Sequence, residues 1–220
     1  MPQVDLSKKY SKFIAPKNQI SVNSEDILQK YGITSAILNV ELATGALPKF
    51  NFTIDDPQAK WINTTLFEPS KTVEAKMGYG VTLETVMAGE VVAVKTIFSS
   101  AHGPEIEVSG EGKTAETAAS SLIYSLVYSK TLLNFTATAT SENPSAKAAT
   151  ISRTPAIKTQ TGSLRCTAEC IGLPDVKPGA ALALSGLGSR FNMNYLVEKA
   201  VHSWDGNFGF RTRFEAKRLL

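Results

Sequence analysis

The sequence contains few of the residues that build chemical sites, because only two of its 220 residues are cysteine and only two are histidine. Cys166 and Cys170 are four residues apart, which in a strand places their α carbons about 13 Å apart on one face. A disulfide requires α carbons within about 7 Å, so this pair cannot form one in a strand. Neither cysteine has a histidine or a second cysteine pair at the spacing of a zinc site. We therefore expect both to pack as small apolar side chains.

An excess of charge and a long apolar run are also missing. The 23 basic and 20 acidic residues leave a net charge of +3, which is too weak and too scattered to favour a nucleic-acid partner. No apolar run approaches the about 18 residues that span a bilayer, and residues 1–12 lack the apolar core of a signal peptide. We therefore expect synthesis as a soluble chain in the cytoplasm. Hydrophobic residues make up 43% of the chain, as in ordinary globular proteins.

The sequence is rich in apolar–polar alternation with a period of two, which indicates strands with one buried face. In the segment at 49–55, for example, Phe50, Phe52 and Ile54 alternate with polar residues. The strands predicted in this way are 36–42, 49–55, 72–77, 90–98, 105–108, 122–128, 132–140, 151–157, 163–171, 181–185, 195–204 and 210–217.

Turn and cap signals separate the predicted strands. Asp55-Asp56-Pro57 predicts a short helix over 58–66, because an acidic cap followed by proline favours a helix start. Gly78-Tyr79-Gly80 and Ala88-Gly89 predict turns or bulges, and Asp205-Gly206 predicts a hairpin.

A weaker pattern of small polar residues at 110–121 predicts a linker between two halves. Asn143-Pro144 breaks the chain again and predicts a loop that runs to residue 149. The sequence therefore predicts an all-β chain of two consecutive small β-barrel domains, 1–112 and 113–220, with one or two short helices.

Motifs that would carry chemistry are incomplete. His102 and His202 are far apart and have no ligand partners at metal-site spacing, so we expect a hydrogen-bonding role for His202 at a strand end. The Gly186-Leu187-Gly188 segment lacks the lysine and the hydroxyl residue of a phosphate-binding loop. Glu105 and Glu107 share one face of a strand, where a solvated pair is more common than a catalytic one. We predict no catalytic, cofactor-binding or metal-binding residues, no cofactor and no enzyme activity.

The C-terminal half carries a family motif. A proline-glycine turn leads into a strand that ends in glycine-x-glycine; a tyrosine strand ending in valine-histidine and a late arginine follow. This pattern resembles the end of phage late control protein D and of the type VI valine-glycine repeat spike proteins, although Phe210 stands where the family more often has tyrosine. The motif residues are Gly172, Pro174, Pro178, Gly179, Gly186, Gly188, Tyr195, His202 and Arg218.

The resemblance extends over nearly the whole chain but is specific only over 163–218. The segment 126–135 is similar to a hairpin of the family, with Ser129 where glycine is usual. The N-terminal half matches more loosely. The chain lacks two family features: a longer insertion between the barrels and a C-terminal needle of valine-glycine repeats. A separate spike protein would then supply the tip.

The resemblance implies a structural hub in the baseplate of a contractile injection system. Each subunit would contribute two tail-tube-like barrels, so three subunits would present six barrels to a six-fold inner tube and a three-fold face to a central spike. The implied partners are two further copies of the chain, the spike protein, the inner tube protein and baseplate wedge components. Neither nucleic acid nor membrane insertion is required. The implied location is a phage tail or a phage-tail-like particle assembled from protein made in the bacterial cytoplasm.

The alternative function is a small-barrel module that binds single-stranded nucleic acid or oligosaccharide. It would need a basic groove with exposed aromatic residues between the basic ones. The sequence instead predicts that Phe50, Phe52, Phe210 and Phe214 face the core. A stable trimer in solution would favour the hub, and a monomer that binds oligonucleotide would favour the alternative.

Overall fold

The computed structural model describes residues 3–4, 6–100, 103–113, 122–141 and 162–219, and strands dominate it. Two short α-helices, α1 (Leu6–Lys9) and α2 (Ile27–Tyr31), and a 3₁₀ turn at Ser11–Phe13 complete the regular structure of these residues. The strands are β1 (Gln3–Val4), β2 (Pro16–Val22), β3 (Glu25–Asp26), β4 (Ser35–Ala43), β5 (Lys49–Asp55), β6 (Thr72–Tyr79), β7 (Thr82–Ser99), β8 (Gly103–Gly112), β9 (Ile123–Val127), β10 (Leu132–Ser141), β11 (Gly162–Ile171), β12 (Ala181–Ser185), β13 (Asn194–Asp205) and β14 (Gly209–Arg218).

These strands form one continuous sheet, and the all-β prediction with two short helices is confirmed. The main pairing path runs β1-β9-β12-β13-β4-β5-β8-β7-β6-β2-β3, and β10, β11 and β14 branch from it as β10-β11-β14-β13. The sheet curls back on itself in both halves. Near the end of the path β2 contacts β14, and a bridge between Tyr128 and Leu132 links the end of β9 to β10.

Strand β13 joins the two halves of the chain through a long-range pairing with β4. The antiparallel register runs from Lys199 opposite Ala43 to Asp205 opposite Ile37. The first residues of β13 pair on the same edge with β12 instead. One edge of β13 therefore has two neighbours in succession, one from each half of the molecule. The division into domains 1–112 and 113–220 stays a prediction.

The chain contains the same five-strand arrangement twice. In the first unit the order is β4-β5-β8-β7-β6, and in the second unit it is β10-β11-β14-β13-β12. Every neighbouring pair in both units is antiparallel. The repeat ends at the sixth strand, because β2 runs antiparallel to β6 whereas β9 runs parallel to β12.

The two units also share their irregularities. Each unit has a long hairpin, β7–β8 in the first and β13–β14 in the second. The last pair before the turn is Ser99 with Gly103 in β7–β8 and Asp205 with Gly209 in β13–β14. Counted back from these ends, each hairpin has a bulge with one extra residue at the same position, at Val92 and at Glu198. The first strands of the units have matching bulges at Ala36 and Leu133. Equivalent positions can therefore be assigned residue by residue.

A proline turn before the third strand in sequence order of each unit, β6 and β12, supports the same assignment. The predicted turn at Pro178-Gly179 is present, with Ala180 N donating to Lys177 O at 2.9 Å and φ of 84° at Gly179. Its counterpart in the first unit is Pro69-Ser70, with φ of 71° at Ser70. The amides of Gly179 and Ser70 donate to the equivalent carbonyls of Val197 and Val91, each at 2.9 Å.

The buried faces of the strands meet in one apolar core that runs through both halves. The predicted inward residues Phe50, Phe52 and Ile54 are buried, and so are Phe210 and Phe214. Alternation therefore assigned these faces correctly. The hairpin predicted at Asp205-Gly206 is also confirmed, although the residue with positive φ is Gly209.

The helix predicted over 58–66 is wrong. Asp56 does cap this segment, since its carboxylate accepts from the amides of Lys60 at 2.8 Å and Trp61 at 2.6 Å. The chain after the cap forms successive turns instead of a helix. Ala59 has φ of 53°, in the left-handed region, and this conformation interrupts helical propagation directly after the cap.

The turn or bulge predicted at Ala88-Gly89 is also wrong, because both residues lie inside the continuous strand β7. A Cβ at Gly89 would lie 2.2 Å from the carbonyl oxygen of Glu111, so this glycine permits a close approach of two strands. The first residues of the linker predicted at 110–121 belong to a strand instead, because β8 continues to Gly112.

Several predicted features lie outside the described residues: the remainder of the linker from 114, the loop at Asn143-Pro144, the strand at 151–157 and His102. In the part of the chain that the structure describes, no helix is long and apolar enough to cross a membrane.

Candidate functional site

The proline-glycine part of the motif lies in the connection between β11 and β12, where it packs into the core. Gly172 N donates to Phe210 O at 3.0 Å, and Leu173 N donates to the Thr212 hydroxyl at 2.9 Å. Pro174 and Pro178 are buried. These contacts hold the connection against β14, so this part of the motif organises structure.

Asp175, in the same connection, anchors the N-terminal segment. One carboxylate oxygen accepts from Lys9 Nζ at 2.8 Å and the other accepts from the Tyr10 hydroxyl at 2.5 Å. Burial of Tyr10 and its bond to Asp175 raise the pKa of its phenol far above the usual range. Burial lowers the pKa of Lys9, but hydrogen bonds to Asp175 and Glu84 outweigh that effect and raise it overall.

The connection also contacts β7 of the first unit. Lys9 Nζ lies 3.0 Å from a carboxylate oxygen of Glu84, and Lys177 Nζ donates to Thr85 O at 3.0 Å. Nearby, the rings of Tyr79 and Phe210 have centroids 6.1 Å apart. The connection is therefore a joint at which the two ends of the chain and both five-strand units meet.

His202 is fully buried on β13, and its Nδ1 lies 3.0 Å from the Thr212 hydroxyl oxygen. Burial lowers the pKa of His202 to about 3; the Lys177 ammonium acts in the same direction and the Val176 backbone in the opposite one. Within the described residues Nε2 has no hydrogen bond of ordinary geometry. The side chain is thus a neutral core group with a hydrogen bond across the strands.

The remaining motif residues lie away from the joint, at the turn after β12 and around the ring of Tyr195. Gly186 and Gly188, with φ of 82° and 81°, form the turn after β12. The Tyr195 hydroxyl donates to Phe191 O at 3.2 Å. Arg218 is exposed and lies opposite Tyr195 in the strand register. The structure therefore divides the motif between the joint and this turn, and does not bring its residues together in one pocket.

Groups with the potential for chemistry are dispersed. The described residues include no group of three or more histidine, cysteine or acidic residues placed to hold a metal ion. Cys166 and Cys170 are free and buried, and burial raises the pKa of Cys166 to about 12, which keeps it a thiol. Glu107 has an ion pair with Lys95 at 3.6 Å. Glu105 and Glu107 are partly exposed on β8, without the enclosure of a catalytic carboxylate pair.

The four aromatic residues that the sequence assigns to inward faces lie in the core. Phe50, Phe52, Phe210 and Phe214 are each at most 4% exposed. The core placement expected for these four residues is confirmed, whereas Phe98, Phe208 and Tyr128 are exposed.

Two long strand edges are open among the described residues. Strand β7 pairs with β6 only as far as Glu90, so the same edge has no neighbouring strand at 93–98. Strand β10 pairs with β11 on one edge, and its other edge is open from Asn134 onward. The open part of β7 carries exposed apolar side chains, Val94 at 40% and Phe98 at 72%.

The exposure of these edges was missed in the sequence. The segment at 90–98 was correctly predicted as a strand, but no edge was assigned to it. The available signal was the loss of alternation: Val91 to Val94 are consecutive small or β-branched residues, and side chains on both faces of the strand are exposed. A strand whose two faces are both exposed and apolar is typical of an interaction surface.

Comparison with known proteins finds no matching family model and no matching curated sequence. The fold, however, matches solved structures. The tail protein from Neisseria meningitidis MC58 matches at 7% identity over 93% of this chain and 96% of that chain, with a TM-score of 0.59. The prophage MuSo2 43 kDa tail protein from Shewanella oneidensis matches at 9% identity over 93% and 98%, with a TM-score of 0.61.

A third similar structure comes from a secretion machine. It is an E. coli component of the type VI secretion system that exhibits structural similarity to the T4 bacteriophage tail proteins gp27 and gp5. It matches at 9% identity over 92% of this chain and 77% of that chain, with a TM-score of 0.52. At these identities the likeness concerns the fold, and the chain has the fold of phage tail proteins and of this secretion component.

Proposed function

We propose that the protein is a structural baseplate hub subunit of a contractile injection system. Three copies form a ring that joins the six-fold inner tube to the three-fold central spike. The observation that carries this proposal is the fold shared with two tail proteins over 93% of the chain. The joint at residues 172–180 and the scattered titratable groups support a structural role without a catalytic step.

The internal repeat supports the number of subunits. Each chain has two five-strand units with the same strand order and matching bulges. Three chains therefore supply six similar units, which can contact a six-fold tube, while the chain as a whole repeats three times and can contact a trimeric spike. Closed rotational symmetry ends the assembly at this size.

The partners in this proposal are two further copies of the chain, the central spike protein, the inner tube protein and baseplate wedge components. The particle is a phage tail or a phage-tail-like injection machine, and the chain enters it during assembly. Nucleic acid and membrane lipid are not needed for the assembly.

Sedimentation of the purified chain, alone and co-expressed with the spike protein from its own gene neighbourhood, tests the proposal. We expect a homotrimer that binds one spike trimer. Particles that lack the chain should contain tubes and spikes that are not joined, which electron microscopy can score. A monomer that binds neither spike nor tube protein would contradict the proposal.

A further inference from the structure

The pairing of β13 with β4 shows how the second unit contacts the first within one chain. Strand β13 pairs with β12 at its beginning and with β4 at 199–205, and both partners lie on the same edge. The Thr44 amide extends this pairing by donating to the Glu198 carbonyl at the bulge, at 2.9 Å. The junction therefore uses the end of a long hairpin strand from one unit and the first strand of the other unit.

The equivalent elements of the opposite units are the two open edges. Strand β7 is equivalent to β13, and β10 is equivalent to β4, by order, direction and bulge position. Each open edge therefore has the same place in its unit as an edge that is already paired inside the chain.

At equivalent positions, side chains on β13, which has β4 as a neighbour, are more buried than those on the open part of β7, which has no neighbouring strand on that edge among the described residues. Trp204 packs against the core, whereas its equivalent Phe98 is 72% exposed. Ala200 is fully buried, whereas its equivalent Val94 is 40% exposed.

We infer that the open edge of β7 at 94–98 pairs antiparallel with the open edge of β10 at 135–139 in a second copy of this chain. The register follows from the internal junction. Trp204 pairs with Leu38, so Phe98 pairs with the second copy's Phe135; His202 pairs with Val40, so Thr96 pairs with the second copy's Ala137. Val94 then lies opposite Ala139.

The chemistry of the two edges fits a strand partner. Exposed edges are normally protected by charged residues, prolines or short length. The β7 edge at 94–98 contains one charged residue, Lys95, and the β10 edge at 135–139 contains only Phe, Thr and Ala. Lys95 forms an ion pair with Glu107 of its own chain, and the other side chains are uncharged, so the two edges can approach closely while the open backbone groups supply the hydrogen bonds.

The contact is head-to-tail, because β7 and β10 are different surfaces of the chain. Such a contact generates a ring if the rotation between copies closes. Closure at three copies rests on the proposed function. The strand pairing itself rests only on the internal repeat and holds for any ring size.

Site-directed disulfide formation tests the register. Thr96→Cys and Ala137→Cys are placed in separately tagged copies, which are co-expressed together with the spike protein and oxidised. Directly opposite residues in an antiparallel pair are close enough for a disulfide. The matched control combines Thr96→Cys with Ala139→Cys, two positions out of register on the same face. The native cysteines are buried and are retained in all variants.

We expect a covalent heterodimer from the in-register pair, formed several-fold more than from the control pair, and none from either single variant. An oligomer with no such bond, or with equal yields from both pairs, would overturn the strand pairing and leave the hub proposal standing. A chain that stays monomeric in the presence of the spike protein would overturn both.

Discussion

The Tyr10 hydroxyl donates a hydrogen bond of 2.5 Å to the carboxylate of Asp175, 165 positions away in the sequence. Tyr10 is fully buried, and the same carboxylate accepts from Lys9. This bond fixes the N-terminal segment to the connection between β11 and β12. The start of the chain is therefore part of the fold of its second half.

Replacing Tyr10→Phe should lower the free energy of unfolding by about 1–3 kcal/mol, because a buried hydrogen bond to a charged group is lost while the ring remains. Urea denaturation measures this change. The matched control is Tyr31→Phe, since the Tyr31 hydroxyl bonds to an exposed carboxylate, that of Glu25. The control should lose less stability, and an equal loss in both variants would contradict the importance of the Asp175 contact.

Gly172 lies directly against the ring of Phe210, and a Cβ at residue 172 would be 2.0 Å from Cγ of that ring. Gly172→Ala should therefore destabilise the protein by about 1–3 kcal/mol or more, as overpacking of a core does. Thermal unfolding with Gly206→Ala as the control checks this, because nothing lies within 4 Å of a Cβ at Gly206. Equal melting temperatures for the two variants would contradict the predicted clash.

Much of the fold follows from the sequence because strand faces are local. Alternation at 49–55 and 210–217 identifies the buried face without knowledge of the partner strand. The cap at Asp56 is equally local and is present, yet the predicted helix is absent. A cap signals where a helix starts and does not ensure that the following residues continue it.

The open strand edges depend on pairings between distant residues. The internal repeat shows this clearly: across the two long hairpins, identical residues occur only at the pairs Val91/Val197 and Gly103/Gly209. Strand order, bulges and register are retained because backbone hydrogen bonds do not require particular side chains. The repeat, and with it the open edges, therefore becomes evident only when the pairing is known.

We expect the free energy of unfolding to decrease as the pH falls, because of His202. Its pKa is lowered to about 3 in the folded protein, below the about 6.5 of an unfolded chain. The unfolded state therefore binds more protons in this window. Neutral His202 contributes fully above pH 6.5, and its contribution declines by up to about 1.4 kcal/mol per pH unit as the pH falls towards 3.

Denaturation curves between pH 7 and pH 5 check this dependence. His202→Asn keeps a group that can bond to Thr212 but does not titrate in this window, so it should show a shallower loss. His102→Gln is the control for the other histidine. The same pH slope in the wild type and in His202→Asn would contradict the role of His202.

The ring should be insensitive to salt. The proposed contact combines backbone hydrogen bonds with side chains that are uncharged except for Lys95, and salt screens exposed charge pairs far more than apolar burial. Sedimentation in dilute buffer and in about 1 M NaCl, where the screening length is about 3 Å, should give the same oligomer. Dissociation by salt would indicate an interface held by charge and would contradict an edge formed by Val94 and Phe98.

Phe98→Lys should weaken assembly without weakening the fold of the single chain. Phe98 is 72% exposed, so replacing it removes little from the core of one chain. In the proposed ring it lies opposite Phe135 of the next copy, where a lysine would lose the apolar contact and place a charge at the interface.

Val81→Lys is the matched control, because Val81 is 97% exposed and lies in the turn between β6 and β7, away from the open edge. Sedimentation should show a shift towards monomer for Phe98→Lys at a protein concentration at which Val81→Lys remains assembled. Both variants should unfold at the same urea concentration as the wild type when all three are diluted until they are monomeric, because assembly itself stabilises the folded state. Normal assembly of Phe98→Lys would place the contact between copies elsewhere on the chain.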